Sequence, residues 1–514
     1  SGIDESISSI KKLTLNGAYG YPMLVGQDVK EYAALIFDGV SIDAEELTFS
    51  NINTSSILVT NQAAPVLKGG TFTVGNDAEG FRGPAISAYT SGKNPLERFK
   101  IMPIYDNQNP PVPLSFPEFL GTANGCQQNS GKLTTIWVSD SHVEFDGIKL
   151  IQNDEGANAD LGIFLRRSAG EVYNSDFTTS CNGININSRR VIESGGNEID
   201  FPIYINNSVS VSGDAAAVGI YQNGFVYLDD LDISGPEKGS GVSVSSSEVS
   251  IRNSHIHNVT GYNGVYLYGE SDINIHNTKF DNISREAVLL GEYHWDDSNW
   301  NTGSSQPYAA RLKLTNSEVL NAGGTCDSKT VYGETGNTEG TFECPAVHIY
   351  MGSATIWNNT IEETVGDGIR VTGGIVDIRN NTVSAGEYPA RVSSYNTKYP
   401  LGASGKEFTG KYGSIAYFSN NTWNADAQTY NITESRVAVQ SETIPVPSAQ
   451  GVFSVGLRWR GSAVKCDTYM YTDCLQIPPM YSNLFSEYVY PKEMPMSIEL
   501  NKNATVFAFA DLDI

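Results

Sequence analysis

Short runs of alternating apolar and polar residues recur along the chain, and each run opens on a small residue. GVSV opens at Gly241, GVYL at Gly264 and AVLL at Ala287, so successive openings here lie 23 residues apart. Alternation with a period of two is typical of β-strands that bury one face. The same type of run opens at other positions: Gly162, Gly183, Gly219, Ala346 and Gly368.

An Asn or Asp after a second alternating run forms another repeated marker. Its positions are Asn174, Asn206, Asp229, Asn253, Asn277, Asn316, Asn358 and Asn380. It follows the opening by 12 residues in the units that start at Gly162, Gly241, Ala346 and Gly368. Asn tolerates the left-handed backbone conformation of a tight turn. We therefore predict a structural column whose side chains hydrogen-bond from one unit to the next.

A unit of about 22 residues is too short to bury its own apolar face, so successive units must stack on one another. Stacking strand on strand predicts a parallel β-helix with coils about 4.8 Å apart. The residues expected in its core are Val242, Val244, Val265, Leu267, Val288, Leu290, Val347 and Ile349.

The phased Gly and Asn positions resemble the right-handed parallel β-helix superfamily, which includes pectate-lyase-like enzymes, polysaccharide epimerases, phage tailspikes and microbial surface proteins. The resemblance extends over about Leu13 to Asn431 and is clearest from Gly162 to Thr382. It implies an all-β solenoid, and it leaves the function open because the scaffold hosts many activities.

Departures from the repeat predict the domain organisation. Ile3, Ile7, Ile10 and Leu13 have helical spacing, which predicts a short N-terminal helical cap on a β-helix of residues 1–436. The phase is lost after this point, so residues 437–514 are predicted to form a C-terminal β cap or small β domain. Loop insertions are expected at 103–131, 188–202, 291–345 and 388–414.

Two of these insertions enlarge the same corner of the predicted coil. The loops 188–202 and 291–311 should therefore project from one side, with a groove between them. Outward aromatic rings at steps of about 4.8 Å can stack on sugars, whereas the alternative is an ordinary strand surface. The predicted glycan-binding residues are Tyr221, Tyr266, Tyr268, Tyr350 and Trp295.

Composition favours an extracellular protein. The formal net charge is −25, which argues against a nucleic-acid partner, and no apolar stretch is long enough for a membrane span. The six cysteines show no metal-binding spacing, and we expect disulfides among Cys126, Cys181, Cys326, Cys344, Cys466 and Cys474. Their proximity favours the pairs Cys326 with Cys344 and Cys466 with Cys474. Glycosylation is predicted at Asn53, Asn258, Asn282, Asn431 and Asn503.

The resemblance to lyases and epimerases implies a base that abstracts a sugar proton, with Arg or calcium neutralising the uronate. The candidate catalytic residues are His294, His348, Arg370 and Glu292. Asp296 and Asp297 are candidate calcium ligands, and no other cofactor is expected. His255, His257 and His276 are interpreted as part of a solvated basic strip.

These observations lead to two functional hypotheses. The first is a surface, filament or adhesin-like protein that contacts glycans or copies of itself. The alternative is a polysaccharide lyase, epimerase or hydrolase that acts in the groove between the loops 188–202 and 291–311. No complete motif for such an enzyme occurs, and few Lys or Arg residues line the groove to neutralise an acidic polymer.

Overall fold

A computed structural model provides the structure of the protein. The residues it describes are 9–17, 33–52, 55–73, 84–92, 94–120, 134–151, 161–178, 182–194, 197–212, 216–222, 224–235, 239–291, 310–327, 341–350, 352–393, 395–401, 406–412, 414–424, 430–433, 436–440, 442–444, 454–460, 498–500 and 505–509. These residues form strands, turns and bends without an α-helix. The chain divides into two compact units, Ser1–Gly261 and Tyr262–Ile514, called unit 1 and unit 2.

Unit 1 is built from three columns of strands. The first column contains Ala33–Asp38, Ser55–Thr60, Ile86–Tyr89, Thr134–Ser139, Leu161–Arg166, Asn182–Asn187, Val218–Tyr221 and Val242–Ser245. The second contains Ser9–Lys11, Asp43–Glu45, Val66–Lys68, Phe99–Met102, His142–Asp146, Ala169–Tyr173 and Glu248–Arg252. The third contains Thr14–Asn16, Thr48–Ser50, Thr71–Thr73, Glu118–Leu120, Lys149–Ile151, Asp176–Thr178 and His255–Val259. The long strands Ile203–Ser212 and Phe225–Ser234 each serve both the second and the third column.

Unit 2 repeats this arrangement. Its first column contains Val265–Tyr268, Val288–Leu290, Val347–Tyr350, Ile369–Thr372, Ala390–Ser393, Tyr430–Thr433, Ser454–Arg460 and Thr505–Phe509. Its second contains Asp272–His276, Arg311–Thr315, Ser353–Trp357, Ile375–Arg379, Ile415–Ser419 and Arg436–Gln440. Its third contains Lys279–Ile283, Glu318–Ala322, Thr360–Thr364, Thr382–Ala385, Thr422–Asn424, Glu442–Ile444 and Ile498–Leu500.

Neighbouring strands of a column pair in parallel and in register, so each unit is a right-handed parallel β-helix, as predicted. The core consists of the inward aliphatic residues of the columns. All eight residues predicted to point inward, from Val242 to Ile349, are 0% exposed. The period-two alternation therefore identifies the buried face correctly.

The predicted turn column adopts the left-handed conformation. For example, φ is 50° at Asn174, 49° at Asn253 and 57° at Asn358. Two assignments were wrong by one residue, because the left-handed residues are Asn207 and Asp230 instead of Asn206 and Asp229. Tyr173 pairs with Asn206 and Asp229 pairs with Arg252, so Asn207 and Asp230 occupy the register positions of Asn174 and Asn253. The turn therefore keeps its place in the coil, and the sequence marker was set one residue too early.

Hydrogen bonds between successive coils link the predicted column, as where Asn253 Nδ2 donates to Asp229 Oδ1 at 2.7 Å. They also link the buried residue that follows the left-handed one. In unit 2, Asn359 Nδ2 donates to Asn381 Oδ1 at 2.9 Å, and Asn381 Nδ2 donates to Asn421 Oδ1 at the same distance. These side chains are at most 2% exposed. The backbone N–H groups of Asn359 and Asn381 donate to the same Oδ1 atoms, so the ladder satisfies the polar groups of the corner.

The segment predicted as an N-terminal helix is not helical where it is described. Ser9–Lys11 pairs in parallel with Asp43–Glu45, and Thr14–Asn16 pairs with Thr48–Ser50. Pairing with the next coil satisfies the backbone N–H and C=O groups of this segment, although Ile10 and Leu13 also have helical spacing. Residues 1–8 lie outside the described part of the chain.

All four predicted insertions contain antiparallel strand pairs, and in 291–345 Thr325–Asp327 pairs with Thr341–Glu343. The other three insertions contain antiparallel hairpins beside the coil. Their paired strands are Ile104–Tyr105 with Pro113–Ser115, Arg190–Ser194 with Asn197–Phe201, and Tyr395–Leu401 with Lys406–Tyr412. Three insertion boundaries were too wide. Glu118–Leu120 belongs to the third column of unit 1, and Arg311–Thr315, Glu318–Ala322 and Ala390–Ser393 belong to columns of unit 2.

Cys344 is disulfide-bonded. Cys326 lies in Thr325–Asp327, which pairs antiparallel with Thr341–Glu343, but the pairing of Cys326 with Cys344 stays a prediction. Four cysteines lie outside the described residues: Cys126, Cys181, Cys466 and Cys474. None of the described segments is a helix of the length and hydrophobicity that a membrane crossing requires.

Two of the predicted glycosylation sites, Asn258 and Asn282, have exposed side chains at left-handed turns, with φ of 52° and 55°. Asn431 lies in the strand Tyr430–Thr433, whereas Asn53 and Asn503 fall outside the described residues. Modification of these asparagines stays a prediction.

Candidate functional site

The outward side of the first column in unit 2 brings several predicted site residues together. Register pairs Tyr266 with Leu289, Leu289 with His348, His348 with Arg370, and Arg370 with Arg391. We call this row the first-strand face. Consecutive members are separated by one strand spacing of about 4.8 Å. Parallel stacking thus aligns residues that are distant in sequence.

Two tyrosines form an aromatic platform at one end of the first-strand face. Tyr266 and Tyr268 lie two residues apart on the same strand, so both side chains point outward while Val265 and Leu267 point into the core. Their ring centroids are 4.9 Å apart, and the ring planes differ by 24°. Both rings are half-buried, which leaves aromatic surface accessible to a ligand.

His348 lies on the same face but is 0% exposed. Its Nε2 is 3.2 Å from Thr372 Oγ1, and its Nδ1 is 3.8 Å from Glu286 Oε1. Burial lowers the pKa of His348 below its ordinary value, although the carboxylate of Glu286 opposes this change. Glu286 is itself 0% exposed and accepts a hydrogen bond of 2.7 Å from Asn263 Nδ2.

A second buried carboxylate binds the two arginines of the face. Asp367 is 0% exposed, and its Oδ2 lies 2.6 Å from Arg370 Nε and 2.7 Å from Arg391 Nε. Arg391 also forms an ion pair of 2.5 Å with Glu387. Burial raises the pKa of Glu387, an effect that Arg391 opposes. The positive charges of both arginines are therefore balanced by protein carboxylates.

This arrangement is better suited to holding a ligand than to abstracting a proton from a polymer. A general base must reach the proton that it removes, and the ring of His348 has no exposed surface. Arg370 is 11% exposed and already bound to Asp367, so it offers little charge to an incoming uronate. The accessible groups described on this face are chiefly the aromatic rings of Tyr266 and Tyr268.

The sequence analysis missed the carboxylates that organise the site. Asn263, Glu286 and Asp367 each immediately precede the small residue that opens a first-column strand, in NGV, EAV and DGI. Hydrogen bonds between successive coils place these three residues in one corner column with Pro345. A polar residue repeated at this phase was a signal that could have identified the buried cluster.

The remaining predicted site residues are distributed as follows. Tyr350 is 5% exposed, with its ring 5.8 Å from that of His348 in an edge-to-face arrangement. Contact of Tyr350 with a glycan stays a prediction. The residues of the loop 292–309 lie outside the described part of the chain, including Glu292, His294, Trp295, Asp296 and Asp297.

Tyr221, in unit 1, is displaced by two residues from its predicted place. Gly219, not Tyr221, is in register with Asn185 and Ser243, because the small residue that opens this strand is Ala217. A Cβ atom at Gly219 would lie 2.7 Å from the Tyr221 ring, so that ring occupies the space left by the glycine.

Unit 1 also contains an aromatic pair that sequence analysis did not single out. Tyr204 and Tyr227 are in register on adjacent coils, with ring centroids 5.0 Å apart and planes that differ by 9°. Tyr204 is 39% exposed. In-register tyrosines on a parallel sheet stack in this way whether or not they bind a ligand, so the pair is a suitable comparison for Tyr266 and Tyr268.

No protein-family model matches the chain, and no curated protein matches it. Among solved structures, the Azotobacter vinelandii mannuronan C-5 epimerase AlgE6 A-module is 11% identical, with a TM-score of 0.33, over 78% of this chain and 90% of that one. The α-1,3-glucanase catalytic unit of Streptomyces thermodiastaticus is 12% identical, with a TM-score of 0.27, over 86% and 62% respectively. PfbA, a surface adhesin of Streptococcus pneumoniae, is 10% identical, with a TM-score of 0.27, over 85% and 82%. At these TM-scores the alignments carry no argument about function.

Proposed function

We propose that the protein is an extracellular β-helix that binds neutral glycans on the first-strand face of unit 2. The observation that carries this proposal is the half-buried ring pair of Tyr266 and Tyr268 on the outer side of a rigid strand. Sugar rings present apolar C–H faces that pack on aromatic rings, and a strand fixes both rings at little cost in entropy. Contact with a glycan is thus the activity that this surface favours.

Electrostatics favour a neutral ligand over an acidic one. Arg370 and Arg391 are both engaged by Asp367, and the whole chain carries a formal charge of −25. A polyuronate would be repelled unless cations intervened. A polysaccharide lyase or epimerase is the second candidate, but it would need a base other than the buried His348.

An extracellular location is part of the proposal. The disulfide at Cys344 is the kind of bond that persists in oxidising compartments, and the exposed turns at Asn258 and Asn282 would accommodate glycans. Reducing and non-reducing electrophoresis of the native protein, before and after treatment with a glycosidase, tests this part. Retention of all cysteines as free thiols in the protein from its natural source would contradict it.

The binding proposal is tested with a panel of neutral and uronate oligosaccharides and isothermal titration calorimetry. We expect binding to a neutral member and a loss of roughly tenfold or more in affinity for the double variant Tyr266→Ala/Tyr268→Ala. The matched control is Tyr204→Ala/Tyr227→Ala, which removes another stacked tyrosine pair and should leave affinity unchanged.

Three results would contradict the proposal. They are the absence of binding to every neutral glycan, unchanged affinity in the double variant, and loss of affinity in the control instead. Turnover of a uronate polymer that is abolished by His348→Gln would favour the enzymatic alternative. Circular dichroism of each variant separates a loss of the binding surface from a loss of the fold.

A further inference from the structure

A cluster of two histidines and one aspartate lies in unit 1 and takes no part in the proposed glycan site. His257 Nε2 is 2.8 Å from Asp232 Oδ1, and His255 Nδ1 is 3.7 Å from the same oxygen. The three donor atoms all lie within 4.8 Å of one another. The sequence-based interpretation of a solvated basic strip overlooked Asp232, because that residue is 23 positions before His255.

The fold itself brings these side chains together. Asp232 pairs directly with His255 on the next coil, and Ser234 pairs with His257. His255 and His257 point to the same side of their strand, because Ile256 between them is 0% exposed in the core. Their rings are stacked, with centroids 4.2 Å apart. The strand register therefore brings the side chains of Asp232, His255 and His257 together on the surface.

We propose that Asp232, His255 and His257 form a binding site for a divalent transition-metal ion such as Zn²⁺. Two imidazole nitrogens and one carboxylate oxygen are a typical donor set for zinc and its neighbours, whereas Ca²⁺ and Mg²⁺ prefer oxygen ligands. In a tetrahedral zinc site the donor atoms lie roughly 3.3 Å apart, given metal–ligand bonds of about 2.0–2.1 Å. The observed distances of 2.8 and 3.7 Å bracket this value, so small side-chain rotations would suffice.

Partial exposure suits a site that loads from solution. The side chains are 59% exposed at Asp232, 40% at His255 and 21% at His257. With neutral imidazoles, the aspartate gives the cluster a negative charge that attracts a cation. Three protein ligands leave at least one coordination position for water or for a group from a ligand.

Asn258 would support the metal site because it contacts His257, one of the metal-binding residues. Its side-chain amide nitrogen is 2.8 Å from His257 Nδ1, the ring nitrogen that faces away from Asp232. A histidine that binds metal through Nε2 carries its proton on Nδ1 and donates it to an acceptor. Rotation of the Asn258 amide by half a turn places its carbonyl oxygen in that position, which would fix the ring for metal binding.

Titration calorimetry of the metal-free protein with ZnCl₂ tests the proposal. We expect one equivalent of Zn²⁺ to bind, and affinity to fall at least tenfold in each of His255→Ala, His257→Ala and Asp232→Asn. The matched control is His276→Ala, whose ring nitrogen instead lies 2.9 Å from Thr315 Oγ1, and it should bind zinc as the wild type does. Asn258→Leu should weaken binding by roughly 10- to 100-fold, and Asn258→Asp should restore it.

Cobalt provides an independent readout. Co²⁺ at the site should give visible absorption bands that disappear in His257→Ala and persist in His276→Ala. The proposal is overturned if the wild type binds no Zn²⁺, if binding survives loss of both His255 and His257, or if Ca²⁺ competes equally. Because the three side chains are partly exposed, the variants should keep the wild-type circular dichroism spectrum, which checks that a loss of binding is local.

Discussion

Asn381 donates a side-chain hydrogen bond of 2.9 Å to Asn421 in the next coil, and both side chains are buried. Asn381 Oδ1 in turn accepts from both the backbone and side-chain nitrogens of Asn359. Each member of this ladder therefore serves the coil on either side. Replacement of one asparagine therefore leaves buried donors of the neighbouring coil without an acceptor.

Replacement of Asn381 by Ala should lower the free energy of unfolding by about 3 kcal/mol, because it removes an acceptor for two buried donors. Chemical denaturation followed by circular dichroism measures the change. The matched control is Asn380→Gly, at an exposed position with φ of 54°, where glycine adopts the same backbone conformation freely. Equal destabilisation by the two substitutions would contradict an energetic role for the buried ladder.

Glycine at position 170 should be far less replaceable than glycine at position 235. A Cβ atom at Gly170 would lie 1.8 Å from the carbonyl oxygen of Val143, whereas one at Gly235 would meet nothing within 4 Å. Both residues have positive φ, at 131° and 77°. Gly235→Ala should therefore cost about 1 kcal/mol from backbone strain, and Gly170→Ala about 4 kcal/mol from strain plus the steric clash. Thermal denaturation compares them, and similar midpoints would show that the coils can move apart at Gly170.

The buried carboxylate of Asp367 should contribute far more than an exposed one. Asp367→Asn leaves Arg370 and Arg391 without their shared counter-ion, and we expect a loss of about 3 kcal/mol. Asp272→Asn removes an ion pair of 2.7 Å with Arg311 in which both side chains are at least 40% exposed, and we expect less than about 1 kcal/mol. Urea denaturation gives both values. If high salt abolishes the loss in free energy of unfolding for both variants, the charge of Asp367 is screened like that of a surface group.

His142 should make stability depend on pH in acid. Burial, assisted by the charges of Arg190 and Arg98, lowers the pKa of His142 to about 4, and its side chain is 1% exposed. In the unfolded chain its pKa is the ordinary value of about 6.5, so between these values the unfolded state binds a proton that the folded state excludes. Stability should therefore fall as the pH drops from about 6.5 to about 4, by about 3 kcal/mol in total from this group.

The measurement is the thermal midpoint of the wild type and of His142→Leu from neutral to acidic pH. Carboxylates contribute to both proteins, so the difference between the two curves isolates His142. As the pH falls, the thermal midpoint of His142→Leu should rise relative to that of the wild type, and this difference should level off near pH 4. Curves that stay parallel would mean that His142 takes up its proton at the same pH in the folded and the unfolded protein.

The strand columns and their inward residues could be predicted because the relevant signal is local. Alternation around Val265 and Leu267 identifies the buried face without knowledge of any partner. The left-handed turn at Asn253 is equally local, since it follows from the backbone preference of Asn. Errors arose where a marker residue was placed out of register, as at Asn206, where the left-handed residue is Asn207, and at Gly219, where the glycine does not open the strand.

The ion-pair network and the histidine cluster could not be read from short windows. Asp367 and Arg391 are 24 residues apart, and Asp232 and His255 are 23 apart, so each contact requires the register between coils to be correct within one residue. A shift of one position along a strand reverses the side to which every residue points. His348 illustrates a further difficulty, because its outward position was predicted correctly, whereas its burial and its contacts with Glu286 and Thr372 involve residues of other coils.

The hairpin Arg190–Phe201 joins a first-column strand to a second-column strand without disturbing either. Asn182–Asn187 keeps its register with the coils before and after it, and Ile203 continues the second column. Mutation can therefore lengthen, shorten or exchange such an appendage while the scaffold beneath it is inherited unchanged. In a protein of this design, new recognition surfaces can arise by insertion at one corner while the strand register of the coil is kept.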